Sequence, residues 1–449
     1  MTRDVVIVGG GIAGLSAAWR LRHRDALLLE AGDRLGGRMR SDPCGQYWLN
    51  YGAHLFPAPG SLVDGMARDC RLETVPVTGG MMGLAVGDTR VERGRVETYP
   101  FRLPLSLRER IAFASAGVKV QLAVRRYLAL EDRYDFEDDR TFAEFLGPLP
   151  PAVREIFACA AHRATAELDE LSAGCGIGLF ALVWAGKGSL IARNLRGGTG
   201  QLPAALGREL GDRARTHSPV DALRSEGDEL VVSVGGEEIR ARHVIMAAQA
   251  PHAAPLVAPV AERAAAALGQ LTYGAFLSVA VETNETAAMP YDDVYAIATP
   301  GRVFDMFTNQ AHALRTGARQ PGGSLMLFAG AQAAAALMRE SDEVIVERFL
   351  ADLRAMYPQT RGVIAGATVQ RWQYGNVYAQ PGRGRLQGAL EGALGAHENL
   401  HLAGDYFAEL GTMEAAARKG LVAAERVDAL SGGPGGRQSP GNSKEVSHV

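Results

Sequence analysis

The order of apolar runs at the N-terminus constrains the fold more than any other feature of the sequence. Residues 4–8 form a short apolar run typical of a strand, an Ala-rich helical pattern covers 13–22, and a second apolar run covers 26–29. A strand, a helix and a strand in this order predict a crossover unit with parallel strands. We therefore expect an α/β protein built on a doubly wound, Rossmann-type sheet.

The turn between the first strand and the helix has the glycine spacing of a dinucleotide-binding loop. Gly9 permits a tight turn, Gly11 lets the backbone approach a pyrophosphate, and Gly14 lets the helix pack closely on the strand. N–H groups of the first helical turn, around Ala13, would face the phosphates. Glu30 ends the second strand, where its carboxylate can accept hydrogen bonds from a ribose. Together these features predict a dinucleotide site.

The composition gives no reason to expect a polyanionic partner. Of 449 residues, 47% are apolar and 22% are charged, and 47 basic residues against 50 acidic ones leave a formal net charge of −3. A charge so near zero predicts neither nucleic acid nor an anionic membrane as a partner. The uncharged apolar stretch 171–186 is too short to span a bilayer, so we expect no transmembrane segment.

The cysteine pattern predicts reduced thiols and no metal site. The cysteines are far apart and have no CxxC spacing: Cys44, Cys70, Cys159 and Cys175. Isolated thiols are typical of cytosolic proteins. His397 and His401 have no evident third partner for a metal. Because no charged leader precedes an apolar core at the N-terminus, we expect a soluble, cytoplasmic protein.

The segment 30–41 decides which dinucleotide is expected. Gly36 and Gly37 permit close backbone approach, and Arg38 offers a fork of N–H donors to phosphate oxygens. This segment resembles the second glycine motif of the superfamily of FAD-dependent amine oxidases, protoporphyrinogen oxidases and phytoene desaturases. The resemblance implies FAD as the cofactor, with Gly37 and Arg38 on its phosphate side.

Further segments similar to the motifs of this superfamily follow in the same order along almost the whole chain. They are 50–54, 197–202, 219–220, 372 with 381–382, 402–405 and 413–416. The resemblance implies contacts of FAD with Gly52, Ala53 and Met413 at the flavin ring, Val220 at the adenine, and Gly404 and Asp405 at the ribityl or phosphate side.

The alternation of α/β, helical and strand-rich texture predicts a discontinuous FAD-binding domain with a mixed α+β substrate domain inserted in two pieces. The predicted FAD-binding segments are 1–90, 195–265 and 395–430. The predicted substrate-domain segments are 91–194 and 266–394, and a tail rich in Gly, Pro and Ser, 431–449, is expected to be disordered.

This chain also lacks several residues that are typical of the superfamily, and their absence affects the expected catalysis and cofactor attachment. Typical amine oxidases carry a Lys on a substrate-domain strand, whereas this chain has no Lys between 188 and 418. Thr412 occupies the position of an aromatic cage residue. No Cys follows Cys175, so FAD is expected to bind non-covalently, and no second glycine fingerprint follows another strand, so electrons are expected from an organic substrate rather than NAD(P)H.

His54 is the candidate catalytic group, since the resemblance places it beside the flavin. An imidazole with its ordinary pKa can take a proton near neutral pH, although a purely structural role in holding the cofactor is an alternative. Trp372, Tyr374 and Thr412 are candidates for the substrate pocket, although aromatic side chains also serve as core.

These residues predict an FAD-dependent oxidoreductase that takes a hydride from a small amine-bearing or unsaturated substrate onto flavin N5. Oxygen or another acceptor would reoxidise the flavin. One alternative is a non-redox flavin isomerase or mutase, because the segment around His54 also resembles one in UDP-galactopyranose mutases. A flavoprotein without catalysis is a further alternative, and a homodimer is possible in each case.

Overall fold

A computed structural model describes residues 1–77, 83–130, 133–184, 193–314, 319–394 and 397–431. The strands are β1 (Arg3–Val8), β2 (Ala26–Leu29), β3 (Ser41–Cys44), β4 (Tyr47–Asn50), β5 (Thr74–Pro76), β6 (Gly83–Val86), β7 (Thr89–Val91), β8 (Arg193–Leu195), β9 (Ala214–Arg215), β10 (Val220–Glu226), β11 (Glu229–Val234), β12 (Glu237–Met246), β13 (Tyr273–Thr283), β14 (Ala296–Ala298), β15 (Met306–Asn309), β16 (Gly323–Gly330), β17 (Ile364–Val377) and β18 (Leu400–Leu402).

The helices are α1 (Ile12–Arg20), α2 (Leu62–Asp69), α3 (Tyr99–Arg102), α4 (Leu107–Leu128), α5 (Phe142–Leu146), α6 (Pro151–Ala161), α7 (Ala173–Trp184), α8 (Gln201–Leu210), α9 (Ala250–Val257), α10 (Glu262–Leu268), α11 (Ala331–Leu337), α12 (Asp342–Met356), α13 (Arg383–Leu394) and α14 (Met413–Ser431). The predicted disordered tail lies outside the described residues, apart from Ser431 at the end of α14.

The first sheet has the strand order β10-β11-β12-β1-β2-β9, with β18 beside β12. Its centre is parallel, because Val6 of β1 pairs with both Leu27 of β2 and Val244 of β12. β1 is apolar along its length because both of its faces are covered. Val5 and Ile7 pack with α1, α8 and α14, whereas the opposite face packs with α9 and α10. The predicted strand-helix-strand unit is therefore confirmed.

The second sheet has the order β17-β13-β16-β15-β14-β6-β7 and is mostly antiparallel. One of its faces packs on α12, where Leu277 and Val279 meet Ile345 and Phe349. The predicted helical stretch between the sheets is also present: α4 to α7 form their own apolar cluster, and Ser106 and Glu109 form a capping box at the start of α4. The α/β fold class is thus confirmed.

The two sheets use segments that only partly follow the predicted domain boundaries. The first FAD-binding segment was predicted to reach residue 90, yet β6 and β7 pair within the second sheet, where Gly83 lies beside Ile297 of β14. This pairing joins segments remote in the sequence, so the local pattern does not reveal it. The division into two domains stays a prediction. Within the described ranges, no helix is long and apolar enough to cross a membrane.

Candidate active site

A cavity of about 1210 Å³ is lined by elements of both sheets and by the start of α14. It brings together nearly all of the residues that the sequence predicts for the site. Those that line it are Gly9, Gly11, Ala13, Glu30, Gly37, Arg38, Gly52, Ala53, His54, Val220, Trp372, Tyr374, Gly404, Asp405, Thr412 and Met413. Gly14 is the one predicted site residue that does not.

The three glycines of the first loop differ in what the backbone requires of them. Gly9 has a φ of +109°, which favours glycine and makes the tight turn. A side chain at Gly14 would collide with the carbonyl oxygen of Gly9, so Gly14 serves helix packing. Gly11 has an ordinary φ of −67°, and a Cβ there would meet no atom within 4 Å. Because neither backbone nor packing requires Gly11, an open cradle for a bound group explains it best.

Glu30 is held at the end of β2 by backbone donors on both of its carboxylate oxygens. The N–H of Gly10 donates to Oε2 at 2.6 Å, and the N–H of Gly32 donates to Oε1 at 2.8 Å. A carboxylate oxygen can accept more than one hydrogen bond, so each oxygen of Glu30 can still accept another from a group bound in the cavity. Glu30 therefore has a fixed position and a geometry that fits a ribose diol.

Arg38 and Asp405 form an ion pair in the cavity wall, with Nη2 2.8 Å from Oδ2. Arg38 also donates to the carbonyl oxygen of Gly375 at 3.0 Å. Burial disfavours the charge of Arg38, but the Asp405 carboxylate outweighs burial and raises the pKa of the guanidinium. The guanidinium has five N–H donors, so this pairing leaves donors for a phosphate oxygen.

His54 is less basic than the sequence suggests. Its ring lies near Tyr295 and Phe328, with centroids 6.2 and 6.3 Å away. Burial, together with the smaller effect of the positive charge of Arg163, lowers the pKa of His54 to about 4, although a hydrogen bond with Gly52 opposes both. The expectation of titration near neutral pH is therefore wrong, because the ring is neutral there.

The proposed pocket residues all line the cavity, and each also has a structural partner. Trp372 Nε1 donates to the carbonyl oxygen of Tyr51 at 2.7 Å. The ring of Tyr374 packs edge-on against His252, with centroids 5.4 Å apart. The hydroxyl of Thr412 accepts from the N–H of Ala415 at 3.1 Å and so caps α14. Thr412 therefore caps α14 as well as lining the cavity, and its role in the substrate pocket stays a prediction.

The sequence provided no signal for one further cavity residue, Arg163. It lies in the short turn His162–Ala164 that follows α6. The preceding residue, His162, lies between two carboxylates, with Nδ1 2.6 Å from Asp305 Oδ1 and Nε2 3.1 Å from Glu167 Oε2. Burial opposes the charge of His162, but these hydrogen bonds raise its pKa to about 10. The turn that carries Arg163 is thus anchored by a charged histidine.

Comparison with known proteins gives the family. The sequence profile of the flavin-containing amine oxidoreductases matches residues 12–428. The chain belongs to this family. An amine oxidase of Oncorhynchus mykiss is 26% identical over 272 residues, which cover 55% of this chain and 50% of that protein. The chain spans about half the length, or less, of the first curated relatives that it matches.

Solved structures of flavin amine oxidases share the fold. Cyclohexylamine oxidase from Brevibacterium oxydans IH-35A is 18% identical with a TM-score of 0.76, over 96% of this chain and 100% of that one. Putrescine oxidase bound to putrescine is 19% identical with a TM-score of 0.75, over 96% and 99%. The superfamily resemblance is confirmed, and the family is one of FAD-dependent oxidoreductases. The predicted cofactor, FAD, follows from membership, and the open cradle at Gly11 fits it.

Proposed function

We propose that this protein is an FAD-dependent oxidoreductase acting on a small organic substrate that carries an amine or an unsaturated system. The observation that carries the proposal is a single cavity lined both by the dinucleotide loop, with Gly11 and Glu30, and by His54, Phe276 and Phe328. FAD, when bound, accepts a hydride at N5 and passes the electrons to oxygen or another acceptor. The protein supplies binding, orientation and exclusion of water.

The residues around the dinucleotide loop are proposed to hold the cofactor. Glu30 would bind the ribose hydroxyls, and the donors that Arg38 does not use for Asp405 would bind a phosphate oxygen. Met413 begins α14 and lines the cavity, and its backbone N–H, which has no partner within the helix, would bind the cofactor. Non-covalent binding of FAD stays part of the proposal.

His54 is proposed to accept a hydrogen bond or a proton from the substrate. Its Nδ1 lies 3.3 Å from the carbonyl oxygen of Gly52, and a carbonyl oxygen only accepts, so Nδ1 carries the hydrogen. Nε2 is then the acceptor nitrogen. Because its pKa is about 4, His54 is uncharged throughout the neutral range, which leaves Nε2 free to accept a hydrogen bond but makes it a weak base.

The decisive assay is consumption of oxygen, or reduction of a dye, that depends on added substrate. The proposal expects such turnover without any added reductant. Activity that begins only after reduction by dithionite would instead support a flavin isomerase or mutase. Bound flavin with neither activity would support a flavoprotein without catalysis.

A cytoplasmic location and a homodimer also remain proposals. The location is supported by the four cysteines, all of which are free thiols in the structure. Gel filtration with light scattering would test the dimer by giving the molar mass in solution.

A further inference from the structure

Arg163 lines the cavity beside His54. Among the described residues, no hydrogen bond or ion pair is made by its side chain. Burial lowers the pKa of Arg163, and no described carboxylate opposes this shift. A partly buried charge without a counter-charge is destabilising, so the retention of Arg163 calls for an explanation.

The other arginines that line the cavity differ from Arg163 because their guanidinium groups have partners within the protein. Arg34 donates to backbone carbonyl oxygens, including that of Gly37 at 2.7 Å. Arg38 pairs with Asp405. Arg371 pairs with Asp342 and donates to the carbonyl oxygen of Glu340 at 2.7 Å. Each of these three guanidinium groups has at least one partner within the protein, whereas that of Arg163 has none among the described residues.

The surroundings of Arg163 restrict the ligand further. Two carboxylates that contact this turn, Asp305 and Glu167, both pair with His162, and neither forms an ion pair with Arg163. The same cavity wall contains Phe276 and Phe328, whose ring centroids lie 4.8 Å apart. An apolar wall with one unpaired planar cation fits a molecule with an apolar body and a carboxylate, which a guanidinium binds with two parallel hydrogen bonds.

We propose that Arg163 binds a carboxylate of the substrate, so that the substrate class is an organic acid, such as an amino acid, rather than a simple amine. This inference rests on the proposed function, since it names the substrate of the same site. His162 is a positioning residue here, because its two ion pairs fix the turn that carries Arg163.

The test uses the FAD-loaded protein and non-reacting ligands in matched pairs: acetate, phenylacetate and benzoate, each against its amide. Binding is followed by the change in flavin absorbance. We expect at least one carboxylate to bind about 10- to 100-fold more tightly than its amide, which is the usual effect of a charge-assisted hydrogen bond. If no acid binds more tightly than its amide, the proposal is overturned.

Variants assign the effect to Arg163. Arg163→Met should lower the affinity for the carboxylate to that of the amide, and Arg163→Lys should give an intermediate value because it keeps the charge without the fork. Arg154→Met on α6 is the matched control, since Arg154 lies at the surface and pairs with Asp169. Unchanged carboxylate binding in Arg163→Met would contradict the proposal.

Two further measurements distinguish carboxylate binding by Arg163 from cofactor binding by Arg163 and from failure of the proposed function. The FAD content of both Arg163 variants should equal that of the wild type. Loss of FAD from the folded Arg163→Lys variant, measured beside its circular dichroism, would show that Arg163 binds the cofactor instead and would overturn the assignment. A protein that binds carboxylates through Arg163, but whose flavin no compound reduces, would contradict the proposed function alone.

Discussion

The side chain of Arg38 reaches Asp405 at 2.8 Å and joins the loop after β2 to the segment before α14. The two residues come from opposite ends of the chain, and Asp405 is only 5% exposed. The pair therefore closes the cavity wall at the point where the N-terminal and C-terminal cofactor segments meet. Its loss is expected to affect both stability and cofactor retention.

Asp405→Asn leaves the guanidinium of Arg38 without its counter-charge. We expect the free energy of unfolding of the apoprotein to fall by about 3 kcal/mol, the usual effect of breaking a buried pair. Urea denaturation measures this change. Adding Arg38→Met should recover part of the loss, because the uncompensated charge is then gone. A double variant that is less stable by the sum of both single effects would show that the pair is not coupled.

Gly11→Ala and Gly14→Ala separate cofactor binding from packing. At Gly11 the new methyl group meets nothing, so the apoprotein should change in stability by no more than about 1 kcal/mol, while affinity for FAD falls at least tenfold. At Gly14 the methyl group collides with Gly9, so the apoprotein itself should lose about 1–3 kcal/mol. Thermal unfolding and FAD titration distinguish the two. If Gly11→Ala retained FAD as well as the wild type, the claim that the open space at Gly11 accommodates the cofactor would be refuted.

His54→Asn tests the proton acceptor. If His54 accepts a proton, the rate of flavin reduction per bound flavin should fall about 10²-fold. Because the pKa of His54 is about 4, the ring is neutral from pH 6 to 8, and the ratio of wild-type to variant rates should be constant there. Stopped-flow reduction at several pH values measures the ratio. A normal rate per flavin would end the catalytic assignment.

His162→Gln tests the anchor of the Arg163 turn through its pH dependence. The folded-state pKa of about 10 exceeds the ordinary value of 6.5, so the stabilisation is complete below about pH 6.5 and is lost as the pH rises through about 10. At pH 6 the variant should be about 2 kcal/mol less stable than the wild type. Urea unfolding should show this difference shrink toward pH 10. A difference that is independent of pH would mean that His162 is not charged.

The sequence predicted those parts of the site that depend on local geometry. Gly9, Gly14 and Glu30 belong to one strand-helix-strand unit, so their spacing alone fixes their relative positions. The resemblance added Arg38 and Asp405 as separate cofactor contacts, but their ion pair joins distant segments and has no local signal.

The sequence could not predict the properties of the site that depend on packing. The low pKa of His54 arises from burial and from Arg163, which no motif identifies. Arg163 matters because it has no partner among the described residues, and that can be seen only once the chain is folded. Strand β6 likewise joined the second sheet through a distant partner, β14.

The central claim is that a substrate bound in this cavity transfers a hydride to FAD. The most direct measurement mixes the FAD-loaded protein anaerobically with a panel of amines, amino acids and polyenes and follows the absorbance of oxidised flavin. The account predicts that one class bleaches the flavin and that admission of oxygen, or of another acceptor, restores its colour. If no member of the panel bleaches the flavin, and turnover occurs only after reduction by dithionite, the protein is not a net oxidoreductase and the account is contradicted.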